Sequence, residues 1–307
     1  MTAEPEAAER EATDEESATG GANVLGNKGA AAFVAPAAGL IGLFLVFPAL
    51  WTLYLALTNM RLTGLAAAEP QFVGLENFLN AVSEGEFLNS LYVTLIFVLG
   101  SAVIGQAFLG FTLAWILRDW RGWQRQAFEV LAIVAWIIPA SVVAFLWIAL
   151  LDGDSGTLNT LSPVNVDWLL EYPLLSIIFF NTWRGTAFSM LLFSAALNSM
   201  PPSHLETARL AGASFWQQLR DVILPSIRGH ILTTLLLISL WTFNLFTPYL
   251  ITAGGPGSQT ETLPIYIYNV ALSNGRLGFG AAISAIMLVI NLIIAWIYLR
   301  VVGKQDA

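Results

Sequence analysis

The sequence predicts an all-α polytopic membrane protein with six transmembrane helices. Three observations predict it. Of 307 residues, 56% are hydrophobic and only 11% charged, whereas a soluble domain carries roughly 25% charged residues. Six apolar runs reach the roughly 20 residues that a bilayer-crossing helix needs. The bases between those runs also alternate in density, as the positive-inside rule requires.

In chain order, residues 1–29 come first. Within residues 1–28 seven acids face only Arg10 and Lys28, with no hydrophobic period, so this segment reads as a disordered acidic tail. It is not a secretory signal, because the region ahead of the first apolar run is acidic and that run is too long. The six spans then fall at about 31–57, 87–117, 128–151, 174–199, 231–252 and 277–301, within a transmembrane domain of 30–302. The second is long enough to start on the membrane surface. The third contains Pro139, a kink that neighbouring helices tolerate.

With a cytoplasmic amino terminus, the inside segments hold Arg10 and Lys28; Arg118, Arg121 and Arg125; Arg209, Arg220 and Arg228; and Arg300 and Lys304. That is ten of the thirteen bases. The outside holds Arg61 and Arg276, and Arg184 lies within a span. Both termini are therefore expected in the cytoplasm of a multi-pass cell-membrane protein.

The connection at 200–228 is the one long polar interruption. Ser203 and Glu206 have the spacing of a capping box, and so do Ser214 and Gln217. Gly212 lies between them, where a helix end needs positive φ. Pro225 marks a bend or stop before the fifth span. A helix–turn–helix results, with Phe215, Leu219, Val222 and Ile223 on one side of its second helix and Gln218 and Asp221 turned away. By pattern alone this is either a docking element or a connector lying on the membrane.

These residues resemble the coupling loop of the permease subunits of type I ABC importers. The resemblance rests on Glu206-Thr207-Ala208, Gly212-Ala213 and Leu224-Pro225 at the family's spacings, with Met200-Pro201-Pro202 ahead of them. Thr207 replaces the usual Ala, and Ala211 stands where Asp is usual. FVGLENF at 72–78, Trp183-Arg184 and ITAGGPGSQTETL at 251–263 are similar to motifs of the carbohydrate branch. The last is similar to the first permease subunit of maltose- and glycerol-3-phosphate-type systems.

The resemblance implies the type I permease fold with a cytoplasmic coupling helix–turn–helix. It implies ATPase docking through Glu206, Thr207, Ala208, Gly212, Ala213, Leu224 and Pro225, with Glu206 available to pair with a base on the ATPase. The implied partners are a second homologous permease, a cytoplasmic ABC ATPase dimer, an extracytoplasmic solute-binding protein or lipoprotein, and the lipid bilayer. Nucleic acid is not among them. Gly254, Gly255 and Pro256 are expected to face the binding protein. GGPG lacks the Gly-Lys-Ser/Thr ending of a phosphate loop, and no other nucleotide motif occurs. The chain is thus expected to be no enzyme and to bind no cofactor, with ATP and Mg used by the ATPase. The implied function is half of an alternating-access pathway for a sugar or sugar-like solute. Glycerol-3-phosphate, a phosphodiester or an amino sugar is the alternative cargo.

Along that pathway, Arg184 is a base near the middle of the fourth span, which costs roughly 2.5–3.5 kcal/mol to insert. No acid lies at its depth. It serves either the pathway and subunit interface or the tying of helices. Trp241, Asn244 and Pro248 share one face of the fifth span. Asn244 would meet solute hydroxyls and Trp241 or Phe243 would form the apolar wall, with Asn181 and Asn291 as weaker candidates. For each of these, helix packing is the competing role. An intramembrane enzyme needs acids, histidines or nucleophiles clustered at depth, and a stand-alone channel leaves the capped loop unexplained. Without cysteine, and with only His204 and His230, no metal centre is expected.

Overall fold

The computed structural model describes residues 27–162 and 165–303, so the first 26 residues of the acidic tail lie outside it. Asn27, Lys28 and Gly29, expected in the tail, are already helical. Among the described residues the architecture is all helix, apart from one β-bridge between Thr58 and Phe72.

The chain divides into two units, Met1–Tyr54 and Leu55–Ala307. The first unit contains most of α1, which runs from Asn27–Ile41 through a widened turn at Gly42–Val46 into Phe47–Ala56. Its side chains are apolar on all sides, the mark of a helix made for lipid rather than for a half-buried surface.

In the second unit α2 (Leu65–Ala68) and α3 (Glu76–Ser83) precede α4 (Gly85–Arg118). FVGLENF acquires a physical role here. Asn77 donates through Nδ2 to the carbonyls of Ala56 at 2.9 Å and Thr58 at 2.8 Å. It satisfies acceptors that a helix end leaves open. The Val73 amide donates to Leu57 at 2.8 Å beside it.

α5 (Trp123–Ile137) and α6 (Ala140–Leu151) are the expected third span, but their axes bend by 95°. That is a break rather than a tolerated kink. Pro139 has no amide hydrogen and disfavours the helical conformation at the residue before it, and Ile138 is extended at ψ 131°. After α7 (Thr157–Leu161) and α8 (Trp168–Glu171) comes α9 (Pro173–Asn198). Pro173 sits at its first turn, where a missing N–H costs nothing.

α10 (Pro202–Leu210) and α11 (Phe215–Ser226) form the polar connection, and α12 (Arg228–Phe243) bends away from α11 by 73°. The bend falls at Ile227, two residues beyond Pro225, which lies inside α11 after a widened stretch at Gln218–Ile223. The fifth span is also shorter than expected. α12 ends at Phe243, a turn follows, and α13 (Tyr249–Thr252) starts afresh. α14 (Leu263–Ser273) and α15 (Leu277–Gly303) complete the chain.

Among the described residues, three helices qualify as membrane spans by length and apolarity, and up to five if each bent pair counts as one. α9 is outside that set. Its 26 residues rise about 39 Å, enough to cross, but Asn181, Thr182, Arg184 and Thr186 dilute its apolarity. It is also the helix with the largest buried share, with thirteen buried residues.

α4 and α9 meet through glycine. Over Val98–Gln106 α4 opens into i→i+5 turns, which bring residues five apart, such as Gly100 and Gly105, toward one side. A Cβ on Gly105 would overlap Thr182, one on Gly110 would overlap Ser189, and one on Gly185 of α9 would overlap Gln106. Backbones approach this closely only where side chains are absent, as small residues permit between membrane helices. Two hydrophobic cores flank this seam. One joins Phe87, Val98, Ile238, Phe243, Leu263 and Ile283. The other joins Leu117, Phe193, Leu197, Met200, Ile223 and Ile227.

Candidate functional site

Two sites lie at different places on this frame, a turn between α10 and α11 and a polar cavity beside α9. The turn is closed by a complete set of caps. The Ala213 amide donates to Ala208 O and the Gly212 amide to Arg209 O, each at 3.0 Å. This is the paired 6→1 and 5→2 pattern that ends a helix on a left-handed residue, and Gly212 has φ +77°. The space where its Cβ would stand is empty, so conformation rather than crowding requires glycine there.

The Ser214 amide donates to Gln217 Oε1 at 2.7 Å and the Gln217 amide to Ser214 Oγ at 3.4 Å, so that capping box is formed. The box expected at Ser203 and Glu206 is not. α10 starts at Pro202 with Pro201 as its cap residue, and Ser203 is already inside the helix. A proline pair supplies the start that Ser203 would have supplied.

Glu206, Thr207, Gly212, Leu224 and Pro225 are exposed, and Ala208 and Ala213 are half-buried. Leu210 is 90% and Trp216 73% exposed. An open cleft of about 500 Å³ between the two helices is lined by Thr207, His204, Asp221, Val222 and Pro225. On the opposite side Ile223 is fully buried, with Leu219 packed against the same core. The loop is therefore capped at its turn, anchored by one apolar edge, and offers the other.

The cavity is lined by Gln106, Trp136, Asn181, Arg184, Gly185, Phe188, Ile238, Trp241 and Thr242. It brings Arg184 and Trp241 together, which sequence reasoning could only place on separate helices. Asn181 Nδ2 donates to Ser101 Oγ at 2.7 Å and to Thr242 Oγ1 at 3.2 Å. Gln106 Nε2 donates to Asn181 O at 3.0 Å. Three helices are thus tied by buried amides and hydroxyls. Arg184 Nε is buried and has no hydrogen-bond partner.

Trp136, Phe188 and Trp241 form an aromatic cluster, with centroids 5.4 Å, 5.7 Å and 6.2 Å apart. The free volume is about 20 Å³, room for about one water. Trp183, next to Arg184, lines a separate apolar cavity of about 580 Å³ with Trp147 and Leu113.

The other pathway candidates lie elsewhere. Phe243 is 1% exposed and belongs to the hydrophobic core, because the helix turns it inward beside Ile238. Asn244 and Asn291 exchange amide hydrogen bonds at 3.0 Å and 3.2 Å and clamp α12 to α15. Pro248 lies past the end of α12 and shares no helix face with Trp241.

The GGPGSQTETL segment is a folded loop. Thr260 Oγ1 donates to Gly255 O at 2.8 Å, and Asn269 donates to Glu261 at 2.6 Å. Thr94 of α4 accepts from the Leu263 amide at 2.8 Å. Gly254 is buried under Glu261 and Ile265 rather than facing outward. Gly255 and Pro256 line a cleft with Leu169, Leu170 and Tyr249. Nearby, Tyr266 donates to Glu84 at 2.7 Å, and Arg276 lies 3.5 Å from the same carboxylate. Burial and that carboxylate push the Tyr266 phenol well above its ordinary pKa.

Gln106, Trp136 and Phe188 were missed from the sequence. Each is ordinary in its own helix. The available signal was the five-residue spacing of Gly100, Gly105 and Gly110, which marks a close helix contact beside Gln106.

Residues 106–305 match the family described as binding-protein-dependent transport system inner membrane component. A probable ABC transporter permease of Pyrococcus horikoshii is 29% identical, covering 87% of this chain and 93% of that protein. The trehalose/maltose transport system permease protein MalF of Thermococcus litoralis is 28% identical, covering 87% and 91%. The sn-glycerol-3-phosphate transport system permease protein UgpA of Agrobacterium fabrum is 30% identical, covering 89% and 94%. Among solved structures, a chain of the bacterial alginate ABC transporter in complex with alginate pentasaccharide-bound periplasmic protein superposes with TM-score 0.72. It is 20% identical, covering 87% of this chain and 91% of that one.

Proposed function

The chain belongs to the binding-protein-dependent transport system inner membrane components, and from that premise we propose that it forms half of the translocation pathway for a sugar or sugar-like solute. It has the type I permease fold and is a non-catalytic, multi-pass membrane subunit of an ABC importer. ATP hydrolysis, with its Mg, belongs to a separate ATPase.

In this reading the chain crosses the membrane six times, with both termini in the cytoplasm. The loop at 200–228 faces the cytoplasm and docks an ABC ATPase dimer through Glu206, Thr207, Ala208, Gly212, Ala213, Leu224 and Pro225. The observation that carries it is the turn at Gly212. It is capped on both sides, exposed and anchored on one edge only, as a lever must be. A second homologous permease completes the pathway, and an extracytoplasmic solute-binding protein meets the cleft at Gly255 and Pro256.

Solute passes at the cavity beside Arg184 and Trp241. At about 20 Å³ the cavity is closed to a sugar ring. Admission requires the second of two discrete packings, the essence of alternating access. Aromatic faces with buried amides suit a carbohydrate. A second reading, an anionic cargo such as glycerol-3-phosphate or a phosphodiester, draws on the unpartnered Arg184 Nε.

The test is co-purification of a carboxyl-tagged chain from gently solubilised membranes, beside Gly212→Pro. The expected result is an ATPase and a second permease with wild type, and loss of the ATPase with the variant. Recovery of the chain alone, or no effect of the variant, overturns the docking reading. Competition of uptake by neutral against anionic sugars then separates the two cargo readings.

A further inference from the structure

A push on the loop has to reach the solute cavity, and the direct route along the chain is broken. α11 meets α12 at a 73° bend. A second route crosses between helices through aromatic rings. Phe215 of α11 packs edge-on against Trp115 of α4, with centroids 5.9 Å apart. Trp115 stacks along its own helix on Phe111 at 6.3 Å. Phe111 meets Phe193 of α9 edge-on at 5.5 Å. The Arg118 guanidinium lies 3.7 Å over the Trp115 ring, a cation–π contact that holds the indole in place.

The ladder ends on two of the three helices that carry the cavity's polar groups, the third being α12 with Thr242. Gln106 lies nine residues before Trp115 on α4, and Arg184 lies nine residues before Phe193 on α9. Nine residues are two and a half helical turns, about 13.5 Å. Between those levels the glycine seam opposes separate sliding of the helices, since Gly110 lies against Ser189 and the Met190 backbone and Gly185 lies against the Gln106 side chain. A displacement of the loop is therefore delivered to Gln106 and Arg184 together, through packed groups rather than through a flexible link.

We propose that Trp115 is a positioning residue of the transport cycle. It transmits motion of the coupling loop to the α4–α9 pair, and so sets the solute cavity. The inference rests on the reading of the loop as the ATPase dock.

The experiment compares wild type, Trp115→Ala and Trp115→Phe as complete importer complexes in proteoliposomes, measuring ATP hydrolysed and solute taken up in the same samples. Trp115→Ala is expected to keep its ATPase bound and turning over while solute moved per ATP falls at least fivefold. Trp115→Phe is expected to restore that ratio to within twofold of wild type. A wild-type ratio in Trp115→Ala overturns the proposal. So does a Trp115→Phe ratio as low as that of Trp115→Ala, because a ring should suffice. If Trp115→Ala fails to assemble, Phe215→Leu opens the same contact from the exposed side, and its ratio decides. An ATPase that stays bound in Gly212→Pro defeats the docking reading itself. With docking intact and the ratio unchanged, only the role of Trp115 fails.

Discussion

Glycine is required at two places in this protein for opposite reasons. At the α10–α11 turn Gly212 has empty space around it and a left-handed backbone. At the α4–α9 seam Gly105, Gly110 and Gly185 have right-handed helical backbones, Gly105 within the widened stretch, and no space for a Cβ. The first position is defined by torsion and the second by volume. A turn of the first kind can sit at the surface and do its work there. A seam of the second kind has to be surrounded, and it fixes how two helices travel.

Four substitutions break or sharpen that contrast. Gly105→Ile should have the largest effect. It overpacks the seam against Thr182, which costs about 3 kcal/mol, and should appear as loss of monodisperse protein on size-exclusion chromatography. Asn181→Ala comes next. It keeps the main-chain carbonyl that Gln106 uses but strips Ser101 and Thr242 of the buried amide that donates to them, at about 1–3 kcal/mol. Thermal unfolding followed by tryptophan emission should report it.

Gly212→Ala should cost about 1–2 kcal/mol, the penalty of a left-handed residue with a Cβ. It should release the ATPase in pull-downs while leaving the transmembrane melting transition within a few degrees of wild type. An equal loss at both places would mean that the turn is no separate element. Ser214→Ala removes one cap at about 1 kcal/mol. It should show as faster proteolysis confined to the α10–α11 connection.

The same contrast explains what was legible beforehand. Torsional glycine announces itself locally. Gly212 follows a short helix and precedes Ser214 and Gln217, so turn and cap could both be placed from spacing. Volumetric glycine has no local signature, because its partner sits about 80 residues away on another helix. The cavity was half legible for the same reason. A base such as Arg184 in an apolar run stands out, and so does Trp241, but nothing local tells that Gln106 and Trp136 face them.

The break at Pro139 was underestimated. Proline at depth is compatible with a mild kink or a full break, and the choice is made by packing rather than by the proline. Ser203 failed as a cap because Pro201 and Pro202 start the helix two residues earlier. Phe243 went astray through rotation, since α12 carries apolar residues around most of its circumference and the sequence does not say which side is inside.

The widened stretch of α4 has a meaning for the history of the chain. Each i→i+5 turn holds one residue more than an α-turn, so Val98–Gln106 is a store of surplus length inside an otherwise regular helix. Loss of the exposed Leu99 codon would draw one wide turn into an ordinary one, leaving Gly85–Phe97 and Ala107–Arg118 in their present phase. Loss of a codon within Ala107–Arg118 would rotate everything before it by about 100° and carry Gly105 off the seam. Single-residue deletions should therefore be tolerated in the first place and eliminated in the second. The pattern of gaps among descendants of this chain would record where its spare residue lies.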